Sequence, residues 1–88
     1  MEEGKLALKI ITPDGFSITE DVDEVVAPGT EGEFGVLYGH THFITTLSTG
    51  ILTFRQGKTV KKVQVASAYA KVEPDNVLIL SDSAGFVE

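Results

Sequence analysis

The chain has 88 residues, with thirteen acidic against seven basic side chains, a formal charge of −6 and no cysteine. A single domain of this size buries only about 60–65% of its unfolded surface, which leaves little room for a deep catalytic cleft. The negative charge repels phosphate backbones and anionic lipid, arguing against nucleic acid or a direct membrane surface as partner, and the lack of thiols removes disulfide staples and thiolate metal sites.

No apolar run approaches the ~20 residues of a spanning helix. Met1-Glu2-Glu3 is acidic where a secretory leader would be basic, so the expectation is one soluble domain over residues 1–88, associated with membranes only indirectly. In chain order, Leu6 to Thr12 puts Leu6, Leu8 and Ile10 on one face before the turn Pro13-Asp14-Gly15. Phe16 to Glu20 alternates, and Val22 to Ala27 follows, ending at Pro28-Gly29. The run Glu31 to His40 reads as a glycine-rich loop that presents its carboxylates and histidine to a partner. Phe43 to Thr49 and Ile51 to Arg55 come next, with Gly50 between them. Lys58 to Ala66 completes a hairpin across Gln56-Gly57. Tyr69 to Glu73, the turn Pro74-Asp75-Asn76 and Val77 to Ser81 lead to a small polar tail. Turn signals every eight to twelve residues or so, with no helical period, predict an all-β sandwich or barrel.

Ile10-Ile11, Val25-Val26 and Val77 to Leu80 are apolar on both faces of their strands. A two-layer sandwich covers only one face of each sheet. Either bulges and loops cover the surplus within the monomer, or a protein partner does.

Motifs for chemistry fail one after another. No phosphate-cradling glycine loop is present, and Ser67 lies in A-S-A rather than a nucleophile elbow. Asp21-Val22-Asp23 opens like a calcium loop, but Val26 stands where glycine is needed. Glu20, Asp21, Asp23 and Glu24 read as a solvated edge that discourages aggregation. His40-Thr41-His42 would place both imidazoles on one side of an extended segment, with Glu31 and Glu33 upstream, and is similar to the H-x-H pair of the cupins. The carboxylate and third histidine that complete a cupin site are missing, so a small cupin-like metal-binding protein using His40 and His42 stands as the alternative reading.

An ordered series of motifs points elsewhere: V-D-E-V-V-A-P-G at Val22 to Gly29, E-G-E-F-G-V-L at Glu31 to Leu37, G-H at Gly39-His40, T-G-I-L at Thr49 to Leu52, and V-E-P-D-N-V at Val72 to Val77. Together they make the chain resemble, from Leu6 to Ala84, the N-terminal β-sandwich domain of the epsilon subunit of rotary ATP synthases. The resemblance implies a two-layer sandwich of about ten short strands. It implies a noncatalytic, cofactor-free part of the central stalk that braces the gamma subunit on the c-ring and couples ion flow to ATP synthesis. Its place would be peripheral, on the cytoplasmic face of a bacterial inner membrane or the equivalent stromal or matrix face. Carried over by position, Thr12 and Thr45 face gamma, while Glu31, Glu33 and His40 lie on the loop facing the ring.

The chain departs from the family where prolines are common at the positions of Tyr38, His42 and Thr49, and where a Gly-Gly pair is common at Ser67-Ala68. Each missing proline raises the entropy lost on ordering by roughly 0.4–1 kcal/mol, and Tyr38 is expected to compensate as an aromatic anchor at the ring. Many members continue past the position of Asp82 into a two-helix domain that restrains ATP hydrolysis. Because the sequence ends at Glu88, no C-terminal helical hairpin is expected, and coupling without that brake.

Overall fold

The computed structural model describes residues 5–87, which form eight strands and, among the described residues, no helix. They are β1 (Leu6–Ile11), β2 (Ser17–Val22), β3 (Glu24–Gly29), β4 (Gly32–Leu37), β5 (Phe43–Leu47), β6 (Gly50–Gln56), β7 (Thr59–Glu73) and β8 (Asn76–Val87). One continuous ladder, β2-β1-β8-β7-β5-β3-β4 with β6 joined to β3 and β7, folds over on itself.

The two long strands make that fold possible. The C-terminal half of β7 lies between β5 and the first half of β8, which in turn pairs parallel with β1. Their other halves, Lys62–Ala66 and Ser83–Val87, pair beside β6 in the second layer. Counting each long strand once in each layer recovers the expected ten short segments from eight continuous strands.

Strict alternation fills the space between the layers. Leu6, Leu8 and Ile10 of β1 and Val77 and Ile79 of β8 are buried, as are Ala68, Ala70 and Val72 of β7. They meet Val25, Val36, Leu52, Phe54, Val63 and Val65 of the opposite layer. At about 1.5–3 kcal/mol for each large apolar side chain removed from water, this core is the main favourable term.

Three readings of the sequence are corrected. Glu31 to His40 is not one loop: Gly32–Leu37 is strand β4, which pairs with β3 throughout and turns Phe34 and Val36 inward. Pro28-Gly29 does not end β3, because Pro28 needs no donor there and its carbonyl accepts from the amide of Ser48 at 2.8 Å. The stretch from Asp82 is no tail but the second half of β8.

Ser67 marks where the layers divide. Ala66 pairs with Ser83 and Ala68 with Ser81, so the register holds across an unpaired Ser67 and Asp82. Ser67 takes a φ of 37°, the one non-glycine positive φ among the described residues. Buried Ser81 pins the kink: its hydroxyl accepts from the Ala66 amide at 3.1 Å and directs its hydrogen to the carbonyl of Ala66 (2.8 Å) or Ser83 (2.7 Å).

Relieving the left-handed strain in Ser67→Gly should stabilise the domain by up to about 1 kcal/mol. Ser81→Ala, which leaves partly buried backbone groups of the kink without their partner, should destabilise it by about 1 kcal/mol. Urea denaturation followed by far-UV dichroism measures both.

Candidate docking surfaces

The outer face of the first layer carries the surplus apolar surface anticipated from the sequence. Register places Ile11, Leu80, Tyr69 and Thr46 side by side across β1, β8, β7 and β5. The first three are 38%, 46% and 62% exposed, and Ile44, one step along β5, is 68% exposed. The row spans roughly 14 Å at ordinary strand spacing. Beside it a shallow groove of about 430 Å³ is lined by Ile11, Thr12, Ser67, Tyr69, Leu80 and Asp82, among others. No twist, bulge or loop of the described chain covers these side chains. Tyr69 was not singled out from the sequence; its place between inward Ala68 and Ala70 is the signal that marks it as outward.

Thr12 and Thr45 flank this row without belonging to it. Thr12 is buried, and its hydroxyl bonds the carboxylate of Asp14 and the carbonyl of Phe16 (3.3 Å). Thr12 thus holds the β1–β2 turn rather than facing outward. The Thr12 hydroxyl and, next, the Phe16 amide keep the Asp14 carboxyl below the usual range. Thr45 is half-buried opposite Ala70.

Glu31, Glu33, Tyr38 and His40 are divided by the structure into two groups. Glu31 and Glu33 are exposed at the β3–β4 hairpin, where two glycines are required. A Cβ on Gly29 would stand 2.7 Å from the Gly32 carbonyl, and Gly32 has a φ of 131°. The hairpin is tied to β5 by the Thr30 amide on the Thr46 carbonyl (3.1 Å) and by their two hydroxyls (2.9 Å). Tyr38 and His40 lie at the far end of β4, about 17 Å from Glu33 at strand rise. There the Gly39 amide reaches the Pro74 carbonyl at 2.6 Å.

The two histidines serve different neighbours. His40 tilts over Phe43 with ring centroids 5.3 Å apart, and its Nδ1 lies 2.9 Å from the Thr41 carbonyl. His42 Nε2 approaches Glu73 at 3.8 Å. Among the described residues no group of three or more His, Cys, Asp or Glu side chains is placed to hold a metal ion.

The acidic run across the β2–β3 corner does more than meet solvent. Asp23 pairs with Lys5 and, at 3.6 Å, Arg55, and accepts from the Gly57 amide at 2.6 Å. Glu24 reaches Arg55 at 3.7 Å, and Gln56 Nε2 donates to Glu20 at 3.0 Å. The run therefore clamps the β2–β3 corner to the β6–β7 turn, while exposed Asp21 remains a solvated edge charge.

This geometry agrees with comparison to known proteins. The family described as the ATP synthase delta/epsilon chain β-sandwich domain matches residues 5–87. The chain belongs to that family. It is 48% identical over 80 residues to the ATP synthase epsilon chain of Syntrophobacter fumaroxidans, covering 91% of this chain and 60% of that one. With the epsilon chain of Helicobacter acinonychis it shares 39% over 83 residues, covering 94% and 68%. The chain spans about three fifths of the length of the first of these relatives. Among solved structures it matches a chain of the Euglena gracilis mitochondrial ATP synthase OSCP/F1/c-ring assembly with a TM-score of 0.87 and 26% identity, covering 96% of this chain and 54% of that one. A chain of the Tetrahymena thermophila central stalk and c-ring shares the fold, with a TM-score of 0.77 at 15% identity over 97% of this chain and 69% of that one.

The clamp gives a pH prediction for this epsilon-family domain. The Lys5 ammonium, followed by the Gly57 amide, holds the Asp23 carboxyl below its ordinary value. A depressed folded pKa stabilises above the ordinary aspartate range and is lost as pH falls through the folded value. Asp23→Asn should therefore lower the urea midpoint at pH 7, with the gap to the unaltered chain closing below about pH 4.

Proposed function

We propose that this chain is the noncatalytic epsilon component in the central stalk of a proton-translocating rotary ATP synthase, bracing the gamma subunit on the c-ring so that ion flow is coupled to ATP synthesis. The observation that carries the reading is the uncovered row Ile11, Leu80 and Tyr69 on one flank of a domain of this family. An apolar stripe of that extent on a small acidic protein calls for a protein partner. Gamma takes this flank; Thr12 supports it from within by holding the β1–β2 turn, and Thr45 lies on the inner side of the flanking strand β5.

The acidic hairpin supplies a second contact. Glu31 and Glu33 project on a turn whose shape is fixed by Gly29 and Gly32, suited to arginine and amide groups on the polar loops of the ring. Tyr38 and His40, the other residues expected to face the ring, lie a strand length away at the far end of β4. Rim pairs of this kind contribute about 0.2–1 kcal/mol each, fixing register more than strength. Membrane association is indirect, through the ring, on the cytoplasmic face of a bacterial inner membrane or the equivalent organellar face.

The continuous ladder suits the task, because load applied at the flank reaches the hairpin through the hydrogen-bonded Thr46–Thr30 junction. Glu33→Gln should weaken assembly with a detergent-purified c-ring about two- to fivefold without changing the far-UV spectrum. Equal affinity, or loss of the β spectrum, would count against the assignment.

A further inference from the structure

The uncovered flank carries charge as well as apolar surface. One step along from the apolar row lies a second, in which Lys9, Leu78, Lys71 and Ile44 are successive cross-strand neighbours. Lys9 and Lys71 therefore straddle Leu78, with their Cα atoms about 9–10 Å apart at two strand spacings. Two of the seven basic side chains of an acidic protein stand on this one face. Lys71 reaches Glu73 at 3.8 Å with its side chain half-exposed, while Lys9 has no ion-pair partner among the described residues.

Covering this face takes both ammonium groups out of water, Lys9 with no counter-charge of its own and Lys71 with only the loosely placed Glu73 at 3.8 Å, and an under-compensated desolvated charge opposes docking more strongly than a neighbouring apolar contact favours it. We infer that the partner element seated here carries two carboxylates on either side of an apolar side chain, the carboxylates meeting Lys9 and Lys71 and the apolar group resting on Leu78 and Leu80. The Cα spacing is matched most nearly by a helix. Residues i and i+7 of a helix lie about 10.5 Å apart on one face, with i+3 or i+4 between them. Same-face residues of a strand fall at about 6.7 or 13 Å, on either side of that spacing and less close to it. A second copy of this chain does not fit, because a two-fold pairing centred on Leu78 sets lysine against lysine.

This inference rests on the central-stalk reading and specifies what its gamma-facing contact must present. Binding of the full chain to the gamma subunit of the same synthase, measured by calorimetry at low and high salt, tests both. The unaltered chain should bind, more weakly as salt rises. The double variant Lys9→Glu/Lys71→Glu should lose about tenfold or more in affinity, and reversing an acidic pair on a gamma helix should restore it. Reversing two lysines of the other layer, Lys58→Glu/Lys62→Glu, should leave affinity within about twofold. Unchanged binding by Lys9→Glu/Lys71→Glu with an intact β spectrum overturns the inference and leaves the central-stalk reading standing. Failure of the unaltered chain to bind gamma overturns that reading, and this one with it.

Discussion

The kink shared by β7 and β8 is the constraint on which the other features depend. Without it, two strands of fifteen and twelve residues would make one long flat ribbon. With it, the same ladder serves both layers and brings Ala68, Ala70, Val77 and Ile79 over Val63, Val65 and Leu52. The kink holds a backbone conformation that L residues avoid, and Ser81 satisfies the groups that bending would otherwise leave without partners. Core burial is thus secured by a single polar side chain at the point where the pairing is interrupted.

Continuity of the ladder has a mechanical consequence. Two sheets joined only by loops can slide, whereas here β7 and β8 pass from one layer to the other and β3 reaches β5 through Gly29 and Leu47. The edge-to-face contact of Phe34 with Phe43 (5.4 Å) adds a side-chain tie between β4 and β5. The Asp23–Arg55–Glu24 clamp ties the opposite corner. Such cross-linking makes relative motion of the two layers expensive, because any slip breaks many hydrogen bonds together.

Much of this was legible in the sequence, for definable reasons. Period-two patterning found β1, β2, β6 and the start of β8, because their buried faces are Leu, Ile, Val and Phe. The doubly apolar stretches Ile10-Ile11, Val25-Val26 and Val77 to Leu80 left open whether the monomer or a partner covers the surplus, and of these Ile11 and Leu80 are exposed. Glycine misled the reading of β4. Gly32 and Gly35 suggest a loop, yet Phe34 and Val36 alternate inward, and the glycines occupy a turn and an outward position. Composition could not reveal that Ser83 to Val87 forms a strand, since its partners, Lys62 to Ala66, stand seventeen or more residues away and supply the pairing. Nor could it show that Thr12 is turned into its own turn or that Glu33 and Tyr38 are held apart by a whole strand.

The distribution of charge follows from the same pleat. On β1 and β7 the alternation that buries Leu8, Ile10, Ala70 and Val72 necessarily exposes Lys9 and Lys71 on the far side. Acidic side chains gather around the β2–β3 corner, at Glu20 to Glu24, and at Glu31 and Glu33 of the hairpin, with Glu73 beside Lys71 at the end of β7. The molecule is therefore polarised despite its small size: an apolar flank with two ammonium groups, and a projecting carboxylate turn. On the proposed assignment each surface would disfavour the partner suited to the other, since lysines repel a basic surface and glutamates an acidic one. Were two such neighbours to dock, electrostatics would set their orientation before close packing begins, and the apolar row would contribute strength once the register is correct.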